Sequence, residues 1–452
     1  VAIGNESLDA LTSADHCTAV GYQAGSAITT GSNNTLIGYQ AGDVLTDGSR
    51  NTALGISALG SETSGVSNTA IGASALTTSN GGSYNTAVGD QAGVLLTTGD
   101  NNQFMGYHAG YANTSGSNNI AIGYQAYDVA DTETNNLAIG NAALGGSVAG
   151  GEYNIAIGNN TLDGLTSGDK NTVVGWSAGT SLTEANNSVL IGYEAGKNIT
   201  TQNNNVCIGY QAGVGIVQSS NVLIGVSAAI SATGAAENTG VGASVLIHLT
   251  DGTDNVAMGE SAASNLTTGD YNTIIGSNTE PSTGDAQSQN VFGYNVDGSG
   301  NGTFTFGSGS NDTACTNGGT TWSNPSDVRI KKDIETSTAG LSFINDLRPV
   351  NFKFKTKGEL DPDFYLYEEG STEPASFTDQ VVNGFIAQEI KEVIDNHPEY
   401  KGDELWKEGL ENHDKRQRVA PTALIPILTK AVQELSAQVT TLQQEINTLK
   451  GE

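Results

Sequence analysis

The stretch Asn34-Thr35-Leu36-Ile37-Gly38-Tyr39-Gln40-Ala41-Gly42 recurs in variant form along residues 1–293 of this 452-residue chain. Successive copies are 17 residues apart, except for one step of 18 and one of 16. A repeat of this period decides the fold class before any other feature does. The central glycines of the 18 copies are Gly4, Gly21, Gly38, Gly55, Gly72, Gly89, Gly106, Gly123, Gly140, Gly158, Gly175, Gly192, Gly209, Gly225, Gly242, Gly259, Gly276 and Gly293.

The composition of the repeat favours a mainly β protein built as a β-solenoid, or β-roll. Gly, Asn and Thr at this density are poor helix formers, which excludes a helical repeat. In a solenoid each copy forms one coil, and neighbouring coils pair in register. At about 4.8 Å per coil, residues 1–293 are predicted to form a shaft roughly 80 Å long.

A second glycine follows the central one by ten residues in many copies and marks a turn. We expect it to supply the positive φ of a tight turn, with Asp, Ser or Asn beside it bonding to the neighbouring backbone. Examples are Thr30-Gly31-Ser32, Asp47-Gly48-Ser49, Thr98-Gly99-Asp100, Ser167-Gly168-Asp169 and Thr268-Gly269-Asp270.

An asparagine stands four residues before the central glycine in 14 of the 17 copies that include this position. Identical residues stacked coil on coil form a ladder whose side-chain amides can bond to one another. We interpret these asparagines as structural, with glycan binding as the alternative. Examples are Asn51, Asn68, Asn85, Asn119, Asn171 and Asn272.

The strand of each copy is apolar on both faces. The residue before the central glycine is large and apolar, as in Ile37, and the residue before that is mostly apolar as well, as in Leu190. A strand with two apolar faces must be buried on both. A single coil has one interior, so we expect a cover on the outer face: another layer of the coil or, as we favour, further subunits.

The Asn-x-Ala-Ile-Gly core of the repeat resembles the head repeats of YadA-like trimeric adhesins. The resemblance implies left-handed β-rolls packed three together, and hence a homotrimer. The usual repeat of that family is shorter than the 17 residues found here. The spacing alone indicates a solenoid and leaves the number of subunits open.

Aromatic residues follow the central glycine in several copies. We interpret them as packing residues between coils or subunits, with sugar stacking as the alternative. Threonines one residue after the asparagine ladder form another row, but the aliphatic residues that interrupt it disfavour an ice-binding face. The aromatic residues are Tyr22, Tyr39, Tyr107, Tyr124, Trp176, Tyr193, Tyr210 and Tyr294.

The net charge of −30 is unevenly distributed. Residues 1–325 contain three basic and 25 acidic residues, whereas residues 326–452 contain 15 and 23. So acidic a surface repels nucleic acid and anionic membranes, and neither is an expected partner.

The three cysteines are too few and too widely spaced for a disulfide framework or a zinc site. No run of 18 apolar residues and no signal peptide is found, so we expect no membrane insertion.

The composition changes after the repeat. Residues 294–325 contain one alternating strand, Thr303-Phe304-Thr305-Phe306, and we interpret them as a neck or linker. Residues 326–452 predict a small α+β domain. Its expected elements are a helix over 339–346, a strand over 349–354, an acidic loop over 356–381, and a helix that ends near 397–398.

Residues 425–449 are predicted to form a coiled coil through which the chain trimerises. Pro426 is tolerable only in the first turn of that helix. β-branched residues at a with Leu at d favour two strands, in disagreement with the trimer. The a positions are Ile425, Val432, Val439 and Ile446, and the d positions are Leu428, Leu435, Leu442 and Leu449.

Four motifs of residues 326–452 resemble the endosialidase-type intramolecular chaperone. The resemblance implies a domain that trimerises, guides the folding of β-rich phage tail spikes and fibres, and then cuts itself off as a serine peptidase. It assigns Ser326 as the nucleophile, Lys331 as the catalytic lysine and Pro325–Ser326 as the scissile bond. The motifs are Ser-Asp-x-Arg-Ile-Lys at 326–331, Leu-Arg-Pro-Val at 347–350, Gly-Phe-Ile-Ala-Gln-Glu at 384–389 and Ala-Val-Gln-Glu-Leu at 431–435.

The chemistry of this assignment is reasonable, because a lysine with a lowered pKa can take the proton of a serine hydroxyl. Residues five apart face different ways on a regular helix or strand, so the dyad needs a turn. Without the resemblance, Ser326 would be interpreted as a helix N-cap and Lys331 as a solvated charge.

Other catalytic arrangements have little support. The five histidines are scattered, and no phosphate loop or metal motif occurs, so no cofactor and no metal are expected. Asp128 and Asp131 could serve glycoside hydrolysis in an intersubunit groove. Aspartates in turns are so frequent in this chain that the coincidence carries little weight.

These observations predict a homotrimeric phage tail fibre or tail spike with a C-terminal folding chaperone. Such a protein would fold in the host cytoplasm and act in the virion, outside the cell. Besides its own copies, the expected partners are a host cell-surface glycan and the phage baseplate or tail, bound through a missing N-terminal part. A bacterial cell-surface trimeric adhesin and a polysaccharide depolymerase are the alternatives. Apart from self-cleavage, no activity on an external substrate is predicted.

Overall fold

The computed structural model describes residues 1–309, 311–319, 322–323, 328–362, 364, 366–376, 379–402, 404–407 and 417–451. The chain divides into two compact units, Val1–Pro325 and Ser326–Glu452. The first unit is a β-solenoid, and the second combines short strands with helices. The predicted fold class, a mainly β solenoid of 17-residue coils, is therefore confirmed.

The strands of the first unit are short, and each central glycine from Gly4 to Gly276 directly follows one of them. They are Ala2–Ile3 (β1), Thr18–Val20 (β2), Thr35–Ile37 (β3), Thr52–Leu54 (β4), Thr69–Ile71 (β5), Thr86–Val88 (β6), Gln103–Met105 (β7), Ile120–Ile122 (β8), Leu137–Ile139 (β9), Ile155–Ile157 (β10), Thr172–Val174 (β11), Val189–Ile191 (β12), Val206–Ile208 (β13), Val222–Ile224 (β14), Thr239–Val241 (β15), Val256–Met258 (β16), Thr273–Ile275 (β17), Asn290–Tyr294 (β18), Thr303–Ser308 (β19) and Asn311–Thr316 (β20).

Strands β1 to β18 pair in sequence order, all parallel and in the same register. Thr35 lies opposite Thr52, and Ile37 lies opposite Leu54. The register survives the two irregular steps, where β9 pairs with β10 and β13 pairs with β14. The turns therefore absorb the inserted and the missing residue.

The lumen of the solenoid is a continuous apolar core. The middle residue of each strand from β2 to β17 is buried, as are Val291 of β18, the alanine that follows the strand in many coils and a further aliphatic residue in many coils. In the coil of β3 these residues are Leu36, Ala41 and Leu45.

The outer face of the strands stays open to solvent in the single chain. Ile37, Leu54 and Met105 are 36%, 45% and 43% exposed. None of the outward residues of β1 to β17 is charged, although the surrounding unit is strongly acidic. The inner face is thus buried as expected, and the outer face remains an uncharged, largely apolar stripe, which we call the outer stripe.

The central glycines have a steric reason to be glycine. Their φ angles lie between 132° and 147°, a region that residues with a Cβ rarely adopt. In addition, a Cβ on Gly123 would lie less than 3.0 Å from the carbonyl oxygen of Gly140 in the next coil. Neighbouring coils can approach this closely only because every coil has a glycine here.

The prediction that the turn glycines supply positive φ is wrong. Gly31, Gly48, Gly99, Gly168 and Gly269 do not adopt it, and the left-handed residue stands two positions later, as in Asn33 with φ 63°. The turn position requires glycine because a Cβ would collide with the next coil, as Gly31 would with the carbonyl oxygen of Gly48.

The asparagine ladder bonds chiefly to the backbone. The backbone N–H of Asn51 donates to Asn34 Oδ1 at 2.9 Å, and Asn51 Nδ2 donates to the carbonyl oxygen of Gly65 at 2.8 Å. Direct amide-to-amide bonds are added in some coils, such as Asn255 Nδ2 to Asn238 Oδ1 at 3.0 Å. Each asparagine therefore joins its own coil to the preceding and the following one.

The aromatic residues after the central glycines stack on one another. Trp176 and Tyr193 have ring centroids 5.0 Å apart, and Tyr193 and Tyr210 have centroids 5.2 Å apart, both nearly parallel. Both faces of Tyr193 are thus covered by aromatic neighbours. The structure therefore shows packing between coils at this position.

The alternating stretch at 303–306 forms part of β19. This strand pairs in parallel with β18 and antiparallel with β20, so it continues the solenoid sheet and ends it in a hairpin. Phe306 lies opposite Phe292 and extends the outer stripe. Trp322 packs edge-on against Phe304 and Phe306, at 5.8 Å and 5.4 Å.

The described residues of the second unit form three α-helices around a small core. The core is formed by Ala339, Phe343, Ile390, Leu405, Leu424 and Ile427. The helices are Leu341–Asp346 (α1), Ala387–Asn396 (α2) and Leu424–Lys450 (α3), and the strands are Val350–Phe352 (β21), Val382–Gly384 (β22), Trp406–Lys407 (β23) and Arg418–Val419 (β24). Short 3-10 helices span Val328–Ile330, Lys357–Glu359 and Pro421–Ala423.

Candidate functional site

The predicted scissile bond lies outside the described residues, since Pro325 and Ser326 are not among them. On its upstream side, Ser323 forms an antiparallel bridge with Ala314 of β20. Its N–H donates to the carbonyl oxygen of Ala314 at 2.8 Å, and its own carbonyl accepts from the Ala314 N–H at 2.9 Å. The chain is thus anchored to the solenoid sheet shortly before the predicted cut.

On the downstream side, a turn lies between the two predicted catalytic residues. Residues Val328–Ile330 form a 3-10 helix, and the backbone N–H of Lys331 donates to the carbonyl oxygen of Val328 at 3.2 Å. The side chain of Lys331 is exposed. The helix supplies a turn in the segment where the dyad would need one. Ser326 itself lies outside the described residues.

An ion pair connects two of the four motifs that the sequence singled out. Arg348, in the 347–350 motif, donates from Nε to Glu389 Oε2 at 3.0 Å, and Glu389 belongs to the 384–389 motif. The hydrogen bond and the positive charge of Arg348 lower the pKa of the Glu389 carboxyl. This contact fixes the start of α2 against the segment that leads into β21.

His397, at the end of α2, lies between two carboxylates. Its Nδ1 is 2.6 Å from Glu399 Oε1, and its Nε2 is 2.7 Å from Asp346 Oδ2 at the end of α1. Hydrogen bonds to Glu399 and then Asp346 raise the pKa of the imidazole, which packs edge-on against Phe343. The charged ring can donate to both carboxylates and so joins the ends of two helices.

A cleft of 480 Å³ lies beside the segment that follows Lys331 and Lys332. Asp333, Glu335 and the residues up to Thr338 form one wall, and the start of α3 contributes Pro426 and Ile427. Glu335 is held by Lys401, with Oε2 and Nζ 2.7 Å apart. Among the described residues no group of His, Cys, Asp and Glu is arranged to hold a metal ion.

Helix α3 presents two different apolar stripes. Leu424, Ile427 and Ala431 are buried, and the first two belong to the core of the second unit. The eight predicted a and d residues form the other stripe, which we call the a/d stripe. They are 43–87% exposed in the single chain: Ile425, Leu428, Val432, Leu435, Val439, Leu442, Ile446 and Leu449.

Glu434 connects α3 to α1. Its Oε2 accepts a hydrogen bond from the backbone N–H of Leu341, at 2.8 Å, where α1 has no side-chain cap of its own. A Cβ on Gly340 would lie 2.6 Å from that oxygen, so the glycine makes room for the contact. The glutamate of the 431–435 motif thus caps a helix that is 93 residues away in sequence.

The sequence gives different signals for the residues that make these contacts. The resemblance drew attention to Arg348, Glu389 and Glu434 as members of motifs but assigned them no contact. His397 was noted only as a helix end. The Arg348–Glu389 contact joins oppositely charged residues of two motifs that are distant in sequence. Opposite charges in two motifs of one domain are the signal that could have predicted it.

Residues 326–397 match the family model described as chaperone of endosialidase. The chaperone-of-endosialidase region thus starts at the predicted nucleophile and ends at His397, and it contains three of the four motifs. The fourth motif, at 431–435, lies beyond it. The match indicates a protein of the phage tail-fibre or tail-spike type.

A search of curated proteins finds no match to this chain. Within the described residues, no helix combines the length and the apolar character needed to cross a membrane. Of the predicted site residues, the structure brings together the a/d stripe on one face of α3. The proposed Ser326–Lys331 dyad remains a prediction.

Proposed function

We propose that this chain is a homotrimeric phage tail fibre or spike whose chaperone-of-endosialidase region drives trimerisation and folding and then releases itself. The observation that carries the proposal is the double role of α3. One stripe of this helix completes the core of its own domain, while the a/d stripe stays exposed.

Three copies of α3 would bury the a/d stripe in a parallel coiled coil. Burial of each such side chain contributes about 1.5–3 kcal/mol, which gives the clamp a large driving force. A clamp at the C-terminal end addresses the hardest step in making the shaft. Three chains must begin in register, and long-range β pairing is slow and prone to aggregation.

The outer stripe of the solenoid is suited to further copies of the chain along the shaft. Its residues are uncharged and largely apolar on a unit of net charge −22, so they suit a cover that is equally uncharged. Another copy of the same sheet meets that condition. Host adhesion, through a cell-surface glycan, and attachment to the phage baseplate or tail belong to this proposal as its expected partners.

For the release step we propose that Ser326 Oγ attacks the carbonyl carbon of Pro325, with Lys331 as the base that takes the hydroxyl proton. The Pro325–Ser326 C–N bond breaks, the Ser326 nitrogen receives a proton, and water then hydrolyses the ester to a Pro325 carboxylate. The turn at Val328–Ile330 supports this geometry.

The experiment is a denaturing and a native mass measurement on the wild-type full chain and on three variants. Ser326→Ala and Lys331→Ala should abolish a fragment that starts at Ser326, whereas Lys332→Ala, one residue along and equally exposed, should retain it. The uncut Ser326→Ala chain should have the mass of a trimer. An intact wild-type chain would refute self-cleavage, and a dimer would refute the trimer while leaving the clamp.

A cell-surface trimeric adhesin and a polysaccharide depolymerase share the solenoid and remain second to this proposal. No observation on the described residues favours either over a tail protein. Degradation of capsule polysaccharide by the purified shaft would favour the depolymerase over this proposal.

A further inference from the structure

One side chain in the solenoid lumen has polar atoms without a partner. Within the described part of the chain, Asn113 Nδ2 and Oδ1 are buried side-chain atoms that make no hydrogen bond. Asn113 is fully buried, in the column of the lumen that Leu45 and Leu96 occupy in other coils. Each unpartnered buried polar group costs about 1–3 kcal/mol, so a native protein rarely leaves one unsatisfied.

The carbonyl oxygen of Glu133, which lies next to Asn113, is already engaged. Asn113 Nδ2 and the carbonyl oxygen of Glu133 both lie within 2.5 Å of the point where a Cβ of Gly116 would stand. That carbonyl accepts from Asn119 Nδ2 at 2.8 Å and from the Tyr127 hydroxyl at 3.2 Å. Both of its lone pairs are therefore occupied, and it has none left for the Asn113 amide.

Another polar residue in the same column shows how the protein satisfies such a group when it can. Glu62 is also fully buried. Its carboxylate accepts from the hydroxyl of Ser79 at 2.6 Å and from the backbone N–H groups of Gly65 and Gly81 at 2.5 Å and 2.8 Å. Asn113 makes none of the corresponding hydrogen bonds.

The next coil departs from the repeat at two positions that face this site. Ala130 stands in the column of Asn113 and is too short to fill it as a leucine would. Tyr127 stands where the two preceding coils have Gly93 and Gly110, and it brings a hydroxyl into the lumen. That hydroxyl accepts from Asn136 Nδ2 at 3.1 Å and keeps one lone pair free.

We propose that the lumen binds at least one water molecule at Asn113, between the coils 106–122 and 123–139. The water accepts from Asn113 Nδ2 and donates to the free lone pair of the Tyr127 hydroxyl. These two partners meet the minimum that a buried water needs. The ligand is water because the buried carboxylate of this coil, Glu133, already accepts from the backbone N–H groups of Asp131, Thr132 and Gly150 and calls for no ion.

A crystal structure of the full chain at high resolution tests the site directly. The expected result is a density peak about 2.7–3.2 Å from an amide atom of Asn113 and from a second polar atom. In Asn113→Leu, which restores the leucine of the column and should fold, the peak should be absent. The proposal would be overturned by a site without water in which the Asn113 side-chain amide is flipped, with its oxygen and nitrogen exchanged. The amide would then bond directly to the backbone of Gly116.

Oxygen-17 relaxation dispersion of the solvent provides a count in solution, because it detects waters that stay in the protein for long times. The Asn113→Leu variant should have at least one long-lived water fewer than wild type. Ser115→Ala, an exposed neighbour in the same coil, is the matched control and should not change the count. Equal counts in wild type and Asn113→Leu contradict the proposal.

Discussion

At the scale of single residues, the solenoid depends on positions where a side chain has no room. The central glycines combine a positive φ with a close approach of the next coil, and the turn glycines have the close approach alone. The repeat spacing predicted that glycine was needed at both positions. The reason differs between them because the position of a neighbouring coil is a tertiary fact that no local pattern contains.

Substituting a central glycine should therefore lower the free energy of unfolding far more than substituting a glycine that only has positive φ. Gly123→Ala places a Cβ against the carbonyl oxygen of Gly140, and we expect a loss of at least about 3 kcal/mol in the free energy of unfolding. Gly150 is the control, because its φ is 110° and a Cβ there would meet nothing within 4 Å. Gly150→Ala should cost only about 1–2 kcal/mol.

Thermal unfolding followed by circular dichroism checks both variants. Equal falls in Tm for Gly123→Ala and Gly150→Ala would show that backbone conformation, and not contact between coils, makes the central glycine necessary.

His397 should make the stability of the second unit depend on pH. Its pKa is raised in the folded state, so the stabilisation is fully present below the unfolded pKa of about 6.5 and is lost as the pH rises through the folded value. Urea unfolding between pH 6 and 9 should show the wild type losing its advantage over His397→Gln. A constant difference between the two proteins over that range would contradict the double carboxylate contact.

At the scale of elements, α3 is the informative one. The heptad pattern predicted the helix, its length and its a/d stripe. The sequence did not reveal the second stripe of Leu424, Ile427 and Ala431, because its role depends on α1, which packs against α3, and on the core of the second unit. The same limit applies to Glu434, which looks like an ordinary exposed heptad glutamate until Leu341 is seen beside it.

The cap on α1 should be measurable as a stability effect on the second unit. Glu434→Ala removes the acceptor for the Leu341 N–H, and losing a cap of this kind costs about 0.5–2 kcal/mol. Glu434 is off the a/d stripe, so the native mass of the assembly should not change. Gln433→Ala, the exposed neighbour on the same helix, should leave the denaturation midpoint in place. The cap is unimportant if the two variants unfold alike.

At the scale of the whole molecule, both units of this chain expose an uncharged apolar surface, the outer stripe in one and the a/d stripe in the other. Each unit has its own core, and neither surface is part of that core. Both surfaces become explicable when copies of the chain cover them. The sequence predicted both, since periodicity of two or of three and a half residues directly encodes which face is apolar.

Introducing two charged residues on the outer stripe tests whether this face is covered by another copy of the chain or exposed to solvent. In a single solvated chain, Ile139→Lys with Ile157→Lys should change stability by no more than about 0.5 kcal/mol per site, as surface substitutions do. If copies cover the stripe, the buried charges should lower the Tm of the shaft and increase its cleavage by protease. Ser147→Lys, exposed in a turn between the same strands, is the control. An unchanged double variant would rule out contact at this face.

Because β1 to β18 pair strictly in sequence order, the length of the shaft is proportional to its number of coils. Each coil bonds only to the coil before it and the coil after it, so adding or removing one unit of 17 residues changes the length by about 4.8 Å and nothing else. The coils of 18 and 16 residues show that even the unit itself tolerates a residue gained or lost in a turn. The length of the shaft can therefore evolve by duplication and deletion of whole coils, with no compensating change elsewhere in the chain.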